Sequence, residues 1–316
     1  MADRKYDADL TEFIKVLPTI SDFSTTEKVQ ETRNFGYAFA ERPAPRPDVL
    51  VSDRTLPGAA GEPEIEVRIY RPRSEASSPR PAVFEIHGGG FIMGSKDMMD
   101  PWCERVSSEL EAVVVSTDYR LAPEHPFPAG LEDCYRSLCW TAEHATELGI
   151  DPHRIALAGQ SAGGGLAAAC ALMARDRGGP ALCFQLLEIP ELDDRLETPS
   201  MRQFDDTPLW NRPNAVWSWR HYLGPDHSGE VSPYAAPARE TNLANLPPAY
   251  VSTMEFDPLR DEGILYALAL MQAGVQVELH AYPGTFHGSS LVPKAASSMR
   301  IASESLESLR RALSKA

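Results

Sequence analysis

A chain of 316 residues, 43% of them hydrophobic and 24% charged, is long and apolar enough to bury a sizeable core, which excludes general disorder. Its net charge of −15 serves solubility and excludes nucleic acid and anionic membrane surfaces as partners, since both would repel it. Five cysteines, none at C-x-x-C spacing, predict reduced thiols in a cytoplasmic protein, and no Cys/His cluster has zinc-ligand spacing, so no metal is expected.

In chain order, residues 1–45 read as a helical cap segment, because Leu10, Phe13, Ile14 and Leu17 recur at i, i+3, i+4, i+7 and make one apolar stripe. No signal-peptide run and no stretch of 18 apolar residues is present, so no membrane association is expected. A proline-rich link over 42–48 marks a boundary, and 46–316 read as one catalytic domain. Strands are predicted at 65–70, 82–87, 112–117, 155–158, 183–189, 249–254 and 277–282. Helices are predicted at 131–148, 162–176, 259–273 and 295–313. The alternation predicts an α/β fold, a mainly parallel central sheet with helices on both faces. The stretch 190–245 breaks the rhythm and carries Trp210, Trp217 and Trp219. Part of it, around 190–230, reads as a cap insertion over the strand ends; the alternative is a packed excursion with no ligand role.

The run Gly159-Gln160-Ser161-Ala162-Gly163 follows a short apolar strand and opens an Ala-rich helix, the context that a nucleophile elbow requires. So tight a turn tolerates only small residues two positions to either side of the serine. Directly after the strand at 82–87 comes His87-Gly88-Gly89-Gly90-Phe91. Three consecutive glycines are entropically expensive; their use is backbone that approaches a ligand and aims N–H groups at it. The N–H groups of Gly88, Gly89 and Ala162 are the expected oxyanion donors. The run lacks the lysine and Ser/Thr of a phosphate-binding loop.

A serine nucleophile needs a base, and the base needs an orienting acid. Of eight histidines, His87 belongs to the glycine loop and His280 lies inside the strand at 277–282, whereas His287 sits in a small-residue loop just after that strand, where open α/β sheets place their ligand sites. Asp257 follows the strand at 249–254, with Pro258 suited to the first helical turn, so a helix N-cap is its competing role. The order Ser161, Asp257, His287 is that of the α/β-hydrolase arrangement.

At these residues the chain resembles the hormone-sensitive-lipase family of α/β-hydrolases. The His87–Phe91 loop, Gly159-Gln160-Ser161-Ala162-Gly163-Gly164, the run from Tyr119 to Pro128, the run from Asp257 to Gly263 and Phe286-His287-Gly288 carry the resemblance. The runs from Leu187 to Thr198 and from Asp206 to Trp210 resemble a bacterial acetylesterase branch. Most of the family carries Asp or Thr where Gln160 stands. The resemblance implies a short-chain ester hydrolase, a serine carboxylesterase that needs no cofactor, with a two-part cap and structural roles for Arg120 and Glu124. It implies a homodimer through the strand at 277–282. Phe91, Gln160 and Trp210 are the expected substrate-lining residues. Two alternatives use the same scaffold: a non-catalytic small-molecule-binding protein, against which His287 speaks, and an amidase or peptidase.

Overall fold

A computed structural model describes residues 4–15, 17, 22–39, 44–59, 61–292 and 294–314. Two helices come first, α1 (Ala8–Ile14) and α2 (Thr26–Phe39), then an antiparallel pair, β1 (Val49–Leu56) and β2 (Ile65–Pro72). The alternating part runs through β3 (Arg80–Ile86), α3 (Asp100–Leu110), β4 (Val113–Asp118), α4 (Ala129–Glu143), α5 (Ala145–Leu148) and β5 (Ile150–Gln160). It continues with α6 (Ala162–Arg177) and β6 (Leu182–Glu188). Two helices, α7 (Pro199–Gln203) and α8 (Arg212–Leu223), interrupt it before β7 (Ala249–Phe256), α9 (Arg260–Gln272), β8 (Val277–Phe286) and α10 (Ala296–Ser314).

The eight strands form one sheet in the order β1-β2-β4-β3-β5-β6-β7-β8, parallel from β4 to β8. From β3 the chain crosses to β4 on one side and then to β5 on the other, so the winding reverses beside β3. Loops leaving the carboxyl ends of strands diverge at such a switch, and the crevice between them is where open α/β sheets bind ligands.

Both faces of the sheet are covered, which is why its strands read as nearly continuous apolar runs. Phe84 and Ile86 of β3 face one layer, with Leu131, Leu166 and Leu270 from α4, α6 and α9. Val83, between them, faces the other layer, with Val106 and Leu309 from α3 and α10. The period-two alternation continues in β4, where Val113 and Val115 join the first layer and Val114 the second. Each side chain buried this fully contributes roughly 1.5–3 kcal/mol.

Several elements depart from the sequence reading: α3 lies where no helix is predicted, and β5 begins at Ile150, ahead of the strand predicted at 155–158. β1 lies where no strand is predicted: only Val49 and Leu56 at its ends are buried, so it carries no alternation, and antiparallel pairing with β2 holds it. The helix predicted at 131–148 is two helices divided at His144, whose N–H and Nδ1 both bond the Trp140 carbonyl at 2.9 Å. β8 runs past 282 through Pro283 to Phe286, which an edge strand allows because its outer side needs no ladder bonds.

The stripe of the N-terminal segment packs against the loop after β8: Leu10, Phe13, Ile14 and Leu17 meet Phe286, Val292 and Ala295. Phe23 and Val29 pack with Met201, Trp210 and Ala215 of the 190–245 stretch, and His221 Nε2 donates to the Phe23 carbonyl at 2.7 Å. Arg33 of α2 donates to the carbonyls of Ile92 and Ala122 at 2.6 and 2.7 Å and pairs with Glu124 at 3.0 Å. The two segments thus lie together over the loops that follow β3 and β8. Arg42 and Pro43 of the proline-rich link fall outside the described residues. No helix among the described residues is long and apolar enough to cross a membrane.

Candidate active site

β5 ends at Gln160 and α6 begins at Ala162, leaving Ser161 to reverse the chain. It does so at φ 59° and ψ −124°, a left-handed backbone that a non-glycine residue adopts only where its surroundings hold it. Those surroundings are backbone: a Cβ on Gly163 would lie 2.0 Å from the Ile86 carbonyl oxygen, so only glycine lets α6 start this close to β3. The Ser161 N–H donates to the Glu188 carbonyl at 2.9 Å, and the Ser161 carbonyl accepts from Glu191 and Gly165 at 3.0 and 3.1 Å. The hydroxyl therefore stands at the positive end of the α6 dipole.

His287 and Asp257 arrive from the loops after β8 and β7, two adjacent parallel strands. His287 Nε2 is 3.0 Å from Ser161 Oγ, and its Nδ1 is 2.7 Å from Asp257 Oδ2. A carboxylate can only accept, so Nδ1 donates to Asp257, and Nε2 is left to accept from the serine hydroxyl. Ser161 and His287 are each 7% exposed and Asp257 not at all, so little water competes for these bonds. The cap role weighed for Asp257 takes a different form: α9 begins at Arg260, and Asp257 Oδ1 accepts the Leu259 N–H at 2.8 Å in the turn before the helix. His280 lies inside β8, paired with Glu278 and Glu304 at 2.9 and 3.1 Å.

The glycine loop lies against the elbow. A Cβ on Gly88 would meet the Gln160 carbonyl oxygen at 2.7 Å and Ser161 Cβ at 3.4 Å. Among the described residues, the N–H groups of Gly88, Gly89 and Ala162 donate to no protein acceptor, which leaves three backbone donors in the two segments that meet at the serine. His87 props the loop from below, its Nδ1 donating to the Gly88 carbonyl at 2.8 Å and its ring stacked on Tyr119 at 4.2 Å. Burial holds this imidazole below its ordinary pKa, which keeps it neutral.

The three residues expected to line the substrate take three different positions. The Trp210 ring centroid lies 5.9 Å from that of His287, and its edge packs on Gly90, where a Cβ would be 2.4 Å from Cη2. Phe91 is turned inward, stacked on Tyr222 at 4.0 Å and tilted against Trp219 at 5.3 Å. Gln160 turns toward the histidine loop and donates to Ser290 Oγ at 3.1 Å. Two residues that sequence reasoning did not single out stand behind the glycine loop. The Ser218 hydroxyl donates to the Gly90 carbonyl at 2.7 Å, and fully buried Glu191 lies 3.3 Å from Ser218 Oγ. An acidic residue next to a proline at the end of an apolar strand is the only local sign of Glu191; nothing local marks Ser218. Among the described residues, no three His, Cys, Asp or Glu side chains group as metal ligands.

Residues 83–291 match a family with the α/β-hydrolase fold. Carboxylesterase NlhH of Mycobacterium tuberculosis is 42% identical over 274 residues, 84% of each chain, and esterase LipI of the same organism is 42% identical over 254 residues, 79% of each. Among solved structures, a bacterial heroin esterase is 51% identical over 98% of each chain, with a TM-score of 0.92. The chain belongs to the α/β-hydrolase family, in the hormone-sensitive-lipase-like branch that its glycine loop and elbow resemble.

Proposed function

We propose that the chain is a serine carboxylesterase that hydrolyses small, acetyl-like acyl esters through an acyl-enzyme, with Ser161, His287 and Asp257 as its triad. The chain is a carboxylic ester hydrolase, the class of its 42%-identical relative NlhH; the nucleophile, the covalent route and the acyl length are the proposal. The observation that carries it is the unbroken line Asp257–His287–Ser161 at 2.7 and 3.0 Å.

In this reading Ser161 Oγ attacks the ester carbonyl carbon while His287 Nε2 takes the hydroxyl proton. The oxygen that becomes negative accepts from the N–H groups of Gly88, Gly89 and Ala162, each such donor being worth roughly 3–4 kcal/mol in the transition state. The imidazolium, steadied by buried Asp257, passes the proton to the departing alkoxide. Water then repeats the sequence on the acyl-enzyme and frees the acid. Neither metal nor cofactor enters these steps.

Trp210 supports a short acyl group, because its ring occupies the space between Gly90 and His287 where a longer chain would run. In this reading the N-terminal segment, 1–45, and the stretch around 190–230 act as the cap, Phe91 braces the glycine loop from inside, and Gln160 steadies the histidine loop. Five free thiols support a cytoplasmic location, and the edge strand β8 offers the surface for a homodimer.

The test is hydrolysis of p-nitrophenyl esters from acetate to dodecanoate by wild type and Ser161→Ala. Activity peaking at short chains and lost in the variant is expected. Full activity in Ser161→Ala would remove the serine route.

A further inference from the structure

Behind the glycine loop, one hydroxyl faces two oxygens. Ser218 Oγ lies 2.7 Å from the Gly90 carbonyl oxygen and 3.3 Å from Glu191 Oε1. A serine hydroxyl holds a single proton, and a backbone carbonyl can only accept, so at the shorter distance the proton points to Gly90. An ionised Glu191 would then set its oxygen against a lone pair of Ser218 with no hydrogen between them. A protonated carboxyl resolves the conflict: its O–H donates to Ser218 Oγ, which donates to Gly90.

The surroundings favour that state. Glu191 is fully buried and its Oε2 has no hydrogen-bond partner. The titratable groups that face it are Asp257 in the candidate triad, Glu262 from α9, itself beside Asp193, and Tyr222 from α8. None of these offers a positive charge. Burial pushes the Glu191 pKa up to about 8, Ser218 lowers it somewhat, and the charge of Asp257 adds a further push. The same residue also touches the elbow, its N–H donating to the Ser161 carbonyl at 3.0 Å.

We propose that Glu191 is a positioning residue whose neutral form clamps the oxyanion-binding glycine loop to the nucleophile elbow through Ser218. Losing the proton places a second buried negative charge near Asp257 and sets the carboxylate in competition with the Gly90 carbonyl for the single Ser218 proton. The loop N–H groups then lose their fixed aim, and the developing oxyanion loses stabilisation that depended on it. The catalytic consequence rests on the esterase reading above; the protonation state of Glu191 does not.

The experiment measures kcat and KM for p-nitrophenyl acetate between about pH 6 and 10, background hydrolysis subtracted, for wild type, Glu191→Gln and Ser218→Ala. Wild-type kcat is expected to fall above about pH 8 with KM little changed, because the donors act on the transition state. Glu191→Gln, whose amide donates to Ser218 at every pH, keeps its turnover and shows no alkaline fall. Ser218→Ala lowers kcat roughly tenfold throughout and also lacks that fall. An alkaline fall that persists in Glu191→Gln overturns the clamp, and so does a Glu191→Gln enzyme as slow as Ser218→Ala below pH 8.

Melting temperatures without substrate give an independent reading. A carboxyl held above its unfolded pKa adds stability below that unfolded value and loses it as pH rises through the folded value. The wild-type melting temperature, relative to Glu191→Gln, should therefore drop from about pH 5 to 8 and then level off. An unchanging difference overturns a neutral Glu191 whether or not any ester is cleaved. The expected drop in a wild type that cleaves no ester would instead remove the esterase reading, and with it the catalytic half of the proposal.

Discussion

The molecule holds its candidate nucleophile with small residues and covers it with large ones. From Ala162 to Ala174 every residue of α6 is buried, most of them Gly or Ala, and the helix meets its neighbours backbone to backbone. A Cβ on Gly165 would lie 2.1 Å from the Glu191 carbonyl oxygen. The layer above is built the opposite way, from paired rings: Phe23 against Trp210 at a centroid distance of 6.3 Å, and Trp219 against Tyr222 at 5.8 Å. Close backbone approach has no slack, because peptide groups cannot rotate away as side chains do. Aromatic packing has slack in two senses: rings can repack, and a vacancy can partly collapse. The floor of the site is therefore fixed by geometry and the roof by fit.

That contrast can be broken in four places. The largest effect belongs to Asp257→Asn, which keeps the shape of the floor but allows the wrong imidazole tautomer; kcat should fall about 10⁴-fold. A variant with near-wild-type kcat would mean that the 2.7 Å bond to His287 is not used in turnover. Next comes Gly163→Ala, which sets a methyl 2.0 Å from the Ile86 carbonyl oxygen. Chemical denaturation should show a loss of roughly 3–5 kcal/mol, in the range reserved for steric conflict in a core. If the loss is under about 1 kcal/mol, the floor has slack after all.

Trp210→Ala probes the roof. Removing a ring that touches Gly90 and stands 5.9 Å from the His287 ring should raise the octanoate-to-acetate ratio of kcat/KM roughly tenfold, read on p-nitrophenyl esters. An unchanged ratio would place the acyl boundary elsewhere. The smallest effect is His221→Ala, which cuts the 2.7 Å bond between α8 and the Phe23 carbonyl. A stability loss of about 1 kcal/mol is expected, seen as a melting shift of a few degrees. A much larger loss would show that the roof is held as firmly as the floor.

The same contrast explains what could be read from the sequence. Strands β3 to β7 were legible because burial on both faces writes apolar runs directly into the chain. The elbow was legible because a strand, a small-residue turn and a helix must follow one another locally for Ser161 to stand where it does. Asp257 and His287 followed from their places at strand ends, and the structure sets His287 within hydrogen-bonding distance of both Asp257 and Ser161. β1 left no trace, since its stability comes from a neighbour and not from its own pattern. The roof was illegible for a related reason. Ser218 meets its partner Gly90 across 128 positions of chain, and Gln160 meets Ser290 across 130, distances over which no local pattern speaks.

β6 and β7 pair directly, Gln185 opposite Ala249 through Glu188 opposite Ser252, yet the chain leaves one and re-enters the other only after the whole stretch 190–245. Adjacent parallel strands need a crossover of a dozen or more residues in any case, and each doubling of a loop adds only about 0.6 kcal/mol of closure entropy. This seam is a splice site. A foreign segment can be transplanted beyond Glu191 without altering strand order, provided that it returns a donor to the Gly90 carbonyl. Selection for a new substrate, in nature or in a directed-evolution library, can rewrite the roof as a cassette while the floor passes on unchanged.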